Sequence, residues 1–324
     1  MKHQDLPLVT VGTLCYNTGK YVVEALECVK RQNYNNIQHI IIDDCSSDNS
    51  AELVQQWIDK NSYDCQFIKR PENKGVHYGL TEILNLAKGK YLSMISDDLW
   101  SDDKLVEQVE AFEKLDDTYA MVYGDTNMID ESGKVIIPSM FTNYKGENFS
   151  PPSGYIFRDI VFDFYFFIQA ATISISHFKD INYVFNREII SEDWDWQLAL
   201  SKKYRFYGIN KVYAKYRWLE TSITRTNWTD ERRHNVWLSH AKMMMKYYNH
   251  LSHSRNDNLH IYLRVLRIYR ELCSMPSFGR RKKIKFLFDL LIQTKKVRLA
   301  FGLMSIALSL PDHFTMKTVC LKFG

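Results

Sequence analysis

The sequence lacks the patterns that mark zinc sites, disulfide frameworks and membrane spans. Its six cysteines form no CxxC pair and no His/Cys cluster with zinc-ligand spacing, which indicates a reduced, cytosolic protein. The uncharged run Leu299–Leu310 has 12 residues, whereas a helix that crosses a bilayer needs about 20 apolar residues. Residues Met1–Pro7 are polar, so we expect no secretory signal.

The composition indicates a globular protein whose charge is unevenly distributed. Of 324 residues, 45% are hydrophobic and 25% are charged. A chain of this length and composition can form one large hydrophobic core and a second, smaller one. Residues 231–324 hold 18 of the 42 Lys and Arg but only 5 of the 38 Asp and Glu, a net charge of +13, and the remainder is net −9. We therefore expect two parts with different partners. An anionic membrane, nucleic acid or an anionic glycan would suit the basic part.

In the first half of the chain, short apolar runs alternate with segments whose apolar residues have helical spacing. The predicted strands are Leu8–Leu14, Ile37–Asp43, Cys65–Lys69, Tyr91–Ile95 and Tyr119–Tyr123, with a helix after each of the first four. This order predicts an α/β fold with a mainly parallel sheet flanked by helices. Ligands bind such sheets at the carboxyl ends of the strands.

The second half is less regular. We predict a hairpin over Asp125–Pro138, an irregular loop over 139–155, a helix over Glu192–Lys203 and strands over Tyr204–Gly208 and Val212–Arg217. From Asp230 onwards the apolar spacing is helical almost throughout. We therefore divide the chain into a catalytic sheet domain, residues 1–228, and a basic helical region, residues 229–324.

Acidic residues follow two of the predicted strands. The first group, Asp43–Ser50, can accept hydrogen bonds from a uracil-like base or a ribose. The second group, Ser96–Trp100, places Asp97 beside Asp98. Adjacent carboxylates repel unless a cation lies between them, and oxygen ligands favour Mg²⁺ or Mn²⁺. Each group is also consistent with ordinary capping of the helix that follows.

A third acidic group, Ser191–Trp196, interleaves tryptophans with carboxylates. A carboxylate there can remove a proton from an attacking hydroxyl, and Trp194 and Trp196 can form the walls of an acceptor-binding sugar site. The alternative is the first turn of an amphipathic helix, where acidic residues interact favourably with the helix dipole.

The order and spacing of these groups resemble family 2 of the inverting, nucleotide-sugar-dependent glycosyltransferases, which have the GT-A fold. The resemblance covers roughly residues 6–225 and follows Tyr16-Asn17, Asp43–Asp48, Asn73-Lys74-Gly75, Ala87–Tyr91, Ser96–Trp100, Glu192-Asp193 and Tyr216-Arg217. It implies transfer of a sugar from a nucleotide-diphosphate sugar, expected to be a UDP-sugar. The implied acceptor is a hydroxyl on a glycan or a lipid-linked glycan.

The resemblance also implies roles for residues on the donor side. Asp44 is expected to contact the base, with Tyr16 and Ser46 nearby in the nucleotide site. Asp97 matches a metal-ligating acid of the family and Asp98 is its neighbour, so both are expected to hold a divalent metal, Mn²⁺ or Mg²⁺, the implied cofactor. Asp97 is also expected to belong to the nucleotide site.

The remaining implied roles belong to the reaction itself. Asp193 is the implied general base, and Glu192 is expected to orient Asp193 or the acceptor. Arg217 is expected to contact the diphosphate.

Three positions depart from the family pattern. Ile95 stands where the first acid of Asp-x-Asp is usual, Leu219 where a histidine is frequent, and Leu80 where an arginine is frequent. These departures predict weaker metal and diphosphate binding, or the use of other groups. The candidates for such groups are His77, Lys74 and Arg225.

The basic end has two cationic clusters, Arg280–Lys285 and Lys295–Arg298, each followed by an apolar segment. This pattern is typical of helices that lie in a membrane interface, and the alternative is a helical subdomain with a solvated basic face. We expect a cytoplasmic enzyme, peripheral at the inner face of the cell membrane. No nucleic-acid-reading motif is present, so we expect no nucleic-acid partner.

Two other functions fit parts of the same pattern. The first is a binding or scaffold protein that has the same fold and has lost catalysis, which Ile95 and Leu219 favour and Asp97, Asp98 and Asp193 oppose. The second is a nucleotidyltransferase, which shares the sheet and the metal chemistry. A nucleotidyltransferase normally has a glycine-rich phosphate loop near its N-terminus, and residues 12–16 do not form one.

Overall fold

A computed structural model describes residues 6–162, 166–185, 189–219, 229–247 and 278–294, together with residues 261, 264–265, 267–269 and 272. The chain divides into two compact units. The first consists of Met1–Asp159, Phe164–Phe185 and Trp196–Ser222, and the second of Ile160–Asp163, Asn186–Asp195 and Ile223–Gly324. The expectations for Arg225, Lys295–Arg298 and Leu299–Leu310 lie outside the described residues.

The first unit begins with four parallel strands, β1 (Val9–Cys15), β2 (Ile37–Asp43), β3 (Gln66–Lys69) and β4 (Tyr91–Ile95). The helices between them are α1 (Val22–Lys30), α2 (Ser50–Asn61) and α3 (Val76–Leu86). The four strands lie within a few residues of their predicted bounds and a helix follows each of the first three, so the α/β expectation is confirmed. The parallel pairing brings the carboxyl ends of β1, β2 and β4 to the same edge of the sheet, because Cys15 pairs with Asp43 and Thr13 with Ile95.

Five further strands complete the sheet. They are β5 (Leu99–Trp100), β6 (Tyr119–Ile129), β7 (Val135–Ile137), β8 (Ala171–Ser174) and β9 (Arg205–Arg217). Within the described ranges the strand order is β3-β2-β1-β4-β8-β6-β9-β5, with β7 paired to β6. Strand β8 runs antiparallel to β4 and β6, whereas β9 is parallel to β6. The later strands therefore form a mixed extension of the parallel half.

Alternate side chains of each central strand pack on opposite faces of the sheet. On β2, Ile40 and Ile42 pack with Ile83 of α3, while Ile41 packs with Leu26 of α1 on the other face. A strand covered on both faces favours apolar residues at successive positions, which explains the run Ile40–Ile42. The helix α4 (Lys104–Phe112) covers the same face of the sheet as α1, through Leu105.

Two predictions for the second half were wrong in detail. The segments predicted as two strands at Tyr204–Gly208 and Val212–Arg217 form one strand, β9, because irregularities in its register against β6 absorb the intervening residues. The segment predicted as an irregular loop, 139–155, contains the helix α5 (Met140–Lys145). The Ser139 hydroxyl caps α5 by accepting a hydrogen bond from the backbone N–H of Thr142, at 2.9 Å.

The remaining helices are α6 (Phe157–Phe162), α7 (Ile175–Asp180), α8 (Glu192–Ser201), α9 (Asp230–Tyr247) and α10 (Arg280–Thr294), with a 3₁₀ turn over Ile168–Ala170. The first turn of α8, with α9 and α10, lies in the second unit. Among the described residues, no helix combines the length and the apolar character needed to cross a membrane.

Gly89, between α3 and β4, lies close to the backbone of β1. A Cβ atom at this position would lie 2.6 Å from the Thr10 nitrogen and 2.8 Å from the Leu8 oxygen. Both neighbours are backbone atoms, so neither can move aside by changing a rotamer.

We expect Gly89→Ala to lower the free energy of unfolding by about 2 kcal/mol, because β1 and the turn before β4 must move apart. Urea titration would measure the change. The matched control is Lys88→Ala at the adjacent exposed position, which should change stability by less than about 0.5 kcal/mol. Equal stabilities of the two variants would contradict the close approach.

Candidate functional site

Hydrogen bonds join the loops that follow β1 and β2. The Asn17 amide oxygen accepts from the Ser47 backbone N–H at 2.8 Å, and the Asn17 backbone N–H donates to the Ser46 hydroxyl oxygen at 3.0 Å. The Gly19 N–H donates to the Asp48 carboxylate at 3.0 Å. Asn17 adopts a φ of 54°, a left-handed conformation that asparagine tolerates better than most residues. The two loops are therefore held in one arrangement before any ligand arrives.

Asp44 is buried at this edge and accepts three hydrogen bonds. The donors are the Arg70 guanidinium at 2.8 Å and the backbone N–H groups of Lys74 at 3.0 Å and Gly75 at 2.7 Å. Burial alone would raise the pKa of Asp44, but these donors outweigh it and hold the pKa below its usual value. Asp44 is therefore a fixed, ionised acceptor.

The other predicted nucleotide contacts lie on the same two loops. Tyr16 follows β1 directly, and its ring is exposed. The Ser46 hydroxyl donates to the Asp43 carboxylate at 2.6 Å, so its proton is already in use. Ser46 can therefore offer a ligand an acceptor oxygen more readily than a donor.

Asp98 points into the protein. Its carboxylate is buried and accepts hydrogen bonds from the Gln169 side-chain amide at 2.5 Å and from the Arg217 backbone N–H at 2.8 Å. Burial, followed by the charge of Asp97, raises the pKa of Asp98 to about 8. These contacts fix the loop after β4 to β9.

Asp97 is the more exposed member of the pair, and burial raises the pKa of its carboxyl group. Ile95 and Leu219, at the two positions where the resemblance leads us to expect an acid and a histidine, are apolar and buried. The described ranges contain no group of three or more His, Cys, Asp or Glu side chains that could hold a metal.

The Asp97 carboxylate could bind one Mg²⁺ or Mn²⁺ ion whose other ligands are waters and phosphate oxygens. Mg²⁺ usually keeps several waters and takes one or two carboxylates together with phosphate oxygens. Asp97 can supply such a carboxylate, and a nearby positive charge would favour its ionised form. The residues therefore suit Mg²⁺ or Mn²⁺ carried with a nucleotide diphosphate, and do not form a complete metal site.

The resemblance implies that Arg217 contacts the diphosphate. In the structure, the Arg217 side chain is buried and contacts the loop that carries Asp97. The buried guanidinium donates to the Glu24 carboxylate at 2.6 Å, to the Asp97 backbone oxygen at 3.2 Å and to the Glu131 backbone oxygen at 3.4 Å. It also lies 4.4 Å from the centre of the Tyr21 ring. These contacts use three of the five guanidinium N–H groups, so Arg217 braces the loop that carries Asp97, and its contact with the diphosphate stays a prediction.

Glu192 and Asp193 begin α8, in the second unit. Burial, followed by the charge of Asp193, raises the pKa of Glu192 to about 8. The Asp193 carboxylate accepts a hydrogen bond from the Trp194 backbone N–H at 2.8 Å. Glu192 is therefore largely protonated at neutral pH, and the pair carries less than two negative charges.

Trp194 and Trp196 are both buried, with exposed fractions of 8% and 4%. Within the second unit, Trp194 packs between Arg264, at 5.0 Å, and His240, at 5.3 Å. In the first unit, Trp196 packs edge-on against Phe178 at 5.3 Å. Both indoles pack as core residues, which leaves little ring surface for the sugar contact that the sequence predicts.

The side chains of α9 hold the first turn of α8 from within the second unit. The Asp195 carboxylate is fully buried, and it accepts from the Lys246 ammonium at 2.8 Å and the Tyr247 hydroxyl at 3.0 Å. Because these two partners of Asp195 come from α9, the position of Glu192 and Asp193 depends on a helix in the basic region.

Two more side chains of α9 bind the residues just before α8. The Ser239 hydroxyl oxygen accepts from the Ile190 backbone N–H at 2.8 Å, and the Ser191 hydroxyl lies 2.8 Å from His240 Nε2. Burial, with a smaller effect of the Arg264 charge, lowers the pKa of His240 to about 4, so this ring is neutral at pH 7. Sequence reasoning missed these partners, as it missed Arg70 and Gln169, because no local spacing relates residues 26 positions or more apart.

The predicted site residues thus fall into two groups. Those of the first unit, namely Tyr16, Asp44, Ser46, Asp97, Asp98 and Arg217, lie on the loops and strand ends described above at one edge of the sheet. Glu192, Asp193 and Trp194 lie together in the second unit, and Trp196 belongs to the first.

The raised pKa of Glu192 makes stability depend on pH. Between the ordinary value of 4.5 and about 8, the unfolded chain loses this proton while the folded chain keeps it. The contribution of Glu192 to stability is therefore present below pH 4.5 and is lost as the pH rises to about 8.

We expect Glu192→Gln, which cannot ionise, to have a higher Tm than the parent protein at pH 8 and a similar Tm at pH 4.5. Differential scanning calorimetry across this range would measure the effect. Glu147→Gln, at an exposed glutamate, is the control and should follow the parent protein at every pH. A difference between Glu192→Gln and the parent that does not vary with pH would contradict the assignment.

Comparison with known protein families identifies the fold. Residues 10–172, half of the chain, match the family described as Glycosyl transferase family 2. The match includes β1 to β4 and the loops that carry Asp44, Asp97 and Asp98.

Similar proteins include three glycosyltransferases. One, named for teichuronic acid biosynthesis in Bacillus subtilis (strain 168), is 25% identical over 224 residues, 68% of this chain and 83% of that protein. One from Methanocaldococcus jannaschii is 28% identical over 225 residues, 66% of this chain and 71% of that protein. One from Rickettsia felis is 34% identical over 130 residues, 39% of this chain, which span 21% of that longer protein.

Two solved structures share the fold. A mannosyltransferase from Pyrobaculum calidifontis, in complex with GDP-Man and Mn²⁺, has a TM-score of 0.58 and 15% identity over 95% of this chain and 82% of its own. TarS from S. aureus, in complex with UDP-GlcNAc, has a TM-score of 0.61 and 16% identity over 89% of this chain and 81% of its own. The chain is therefore a glycosyltransferase with the GT-A fold and belongs to glycosyl transferase family 2.

Proposed function

We propose that this glycosyltransferase transfers a sugar from a UDP-sugar to a hydroxyl of a glycan or lipid-linked glycan, with inversion at the anomeric carbon. The observation that carries the donor proposal is the arrangement at one sheet edge. An ionised, rigidly held Asp44 follows β2, and the more exposed carboxylate Asp97 follows β4, two strands away in the sheet. A base and a diphosphate need these two features, a fixed acceptor and a carboxylate beside a cation.

On the donor side we assign the nucleoside to Asp44, Tyr16 and Ser46. Asp97 is proposed to bind the cation, with Asp98 next to it as the residue that fixes the loop. A bound Mg²⁺ or Mn²⁺ supplies positive charge that stabilises the departing diphosphate. Both neighbouring structures bind nucleotide sugars, GDP-Man and UDP-GlcNAc, and one of them also binds Mn²⁺, which supports this assignment.

On the acceptor side we assign the general base to Asp193. Its carboxylate takes the proton of the acceptor hydroxyl, and the acceptor oxygen attacks the anomeric carbon. The bond from that carbon to the diphosphate oxygen breaks, and its electron pair leaves with the diphosphate. Glu192, largely protonated near neutral pH, is proposed to orient Asp193 or the acceptor. Asp195 is unsuited to be the base, because its buried carboxylate already binds Lys246 and Tyr247.

The proposed acceptor and location rest on one relative and on the basic region. The Bacillus subtilis relative is named for teichuronic acid biosynthesis, which supports a glycan acceptor for this chain. The basic region would place a lipid-linked acceptor at the inner face of the cell membrane. We keep residues 1–228 as the proposed catalytic domain, and Trp194 and Trp196 as residues that shape the acceptor side from within the core.

A panel of nucleotide sugars and glycan acceptors, with Mn²⁺, tests the reaction through release of the nucleoside diphosphate. We expect at least one UDP-sugar to give release that depends on the acceptor, and the product to have the inverted anomeric configuration by NMR. Retained configuration would contradict the single displacement.

With the best pair from that panel, Asp193→Asn should lower kcat by about 10² or more and leave donor affinity unchanged, because asparagine keeps the size but not the basicity. Asp117→Asn, at an exposed position of the first unit, is the control and should keep normal kcat. A near-normal kcat in Asp193→Asn would move the role to Glu192.

A further variant tests Asp97. Asp97→Ala removes the carboxylate but keeps the backbone oxygen that binds Arg217, so the loop should remain folded. Calorimetric titration with UDP-GlcNAc, or with the preferred donor, should show at least about a tenfold loss of affinity in Mn²⁺ and little loss in EDTA. Asp117→Ala is the matched control. Unchanged donor affinity in Asp97→Ala, with and without metal, would contradict the cation assignment.

A further inference from the structure

Helix α10 has one face buried in the second unit. Phe286 is buried, and its ring stacks on Tyr269 at 5.1 Å between ring centres. Phe278, just before the helix, lies edge-on to Phe286 at 6.4 Å. Lys283 also lies on this buried side. The helix is therefore held in a fixed rotation by its aromatic contacts.

The opposite face of α10 carries an apolar line in contact with solvent. Ile284, Phe288 and Ile292 are 36%, 57% and 66% exposed. They are spaced four residues apart, so they lie one above another along the helix, with Phe286 on the other side. A helix that only packs on its own unit normally places polar residues at such positions. We refer to these three residues as the apolar line.

Cations flank the apolar line. Arg280, Arg281 and Lys285 are all exposed. Arg281 and Lys285 each precede a residue of the line by three positions and another by seven, so they lie on the same face of the helix. Asp289 is the only acidic residue in the sequence of α10. The face therefore combines apolar side chains with a strong excess of positive charge.

We propose that this face of α10 docks on an anionic phospholipid bilayer, with the apolar line inserted among the lipid chains and the cations at the headgroup phosphates. The charge complementarity favours lipid over a second copy of this chain, because two such faces would repel. The helix would lie in the plane of the interface. This face of α10 would be the surface that holds the enzyme at the membrane, as proposed above. Its docking does not depend on the assignments of donor, metal or base.

Sedimentation of the full-length protein with vesicles tests the surface. Vesicles of phosphatidylglycerol and phosphatidylcholine in equal parts should bind the protein, and vesicles of phosphatidylcholine alone should bind it much less. Phe288→Ser with Ile292→Ser should weaken binding to the anionic vesicles by at least about tenfold. Val135→Ser with Ile136→Ser is the matched control, because it removes similarly exposed apolar side chains from β7 and should bind normally.

A second pair of variants tests the charge. Arg281→Gln with Lys285→Gln should weaken binding about 30-fold at physiological salt, and Lys60→Gln with Lys114→Gln, at exposed positions of the first unit, should not. Raising the salt should reproduce part of the charge effect. Thermal unfolding would verify that each variant is folded. If the serine variant is not folded, the glutamine variant alone decides the test.

Two outcomes would overturn the proposal. One is equal vesicle binding by the parent protein and both α10 variants, including no binding by any of them. The other is a dimer of the parent protein in gel filtration without vesicles that the serine variant dissociates, which would assign the apolar line to a second copy of the chain. Release of nucleoside diphosphate in solution without vesicles reports on the proposed reaction separately, so failure of either idea can be recognised independently.

Discussion

Two carboxylates on adjacent residues cannot both be buried as charges without compensation, and the arrangement around β4 follows from this constraint. Asp98 turns inward, where Gln169 and the backbone of Arg217 donate to it, while Asp97 keeps the more exposed position. The Arg217 side chain then reaches Glu24 on α1. The inward turn of Asp98 and the contacts of Arg217 therefore link the β4 loop, β9 and α1.

The same division of roles occurs in the second unit. Asp195 is the buried carboxylate that anchors α8, through Lys246 and Tyr247. Asp193 lies two residues earlier and is more exposed. In both places one acid holds the backbone, and the more exposed acid is the one proposed for the chemistry. A run of acidic residues in a sequence therefore need not share one function.

Much of the first unit could be predicted from the sequence, because its signals are local. The apolar runs indicate strands β1 to β4. The acids that follow β2 and β4 indicate the edge of the sheet at which these strands end. The site partners were not predictable in the same way. Arg70 reaches Asp44 from 26 positions away, and Gln169 reaches Asp98 from 71 positions away. Such pairs exist only once the sheet has formed.

The errors of sequence reasoning also have physical causes. The segment Arg205–Arg217 contains a glycine and polar residues that suggest a turn, yet pairing with β6 keeps it extended. The tryptophans of the third acidic group were read as sugar-binding surfaces because they alternate with acids. The helix places both in packed surroundings, since large aromatic side chains bury more apolar area than any other residues.

The hydrogen bonds from α9 to residues 190–195 have a consequence for how such enzymes can be recombined. A cut at residue 228 would remove Lys246 and Tyr247, which donate to the Asp195 carboxylate, at a cost to the stability of the first turn of α8. A chimaera that joined this sheet domain to the C-terminal helices of a relative would inherit that cost unless it also exchanged the segment before α8. Glu192, Asp193 and α9 must therefore be exchanged together, although some 35 residues separate them in the sequence.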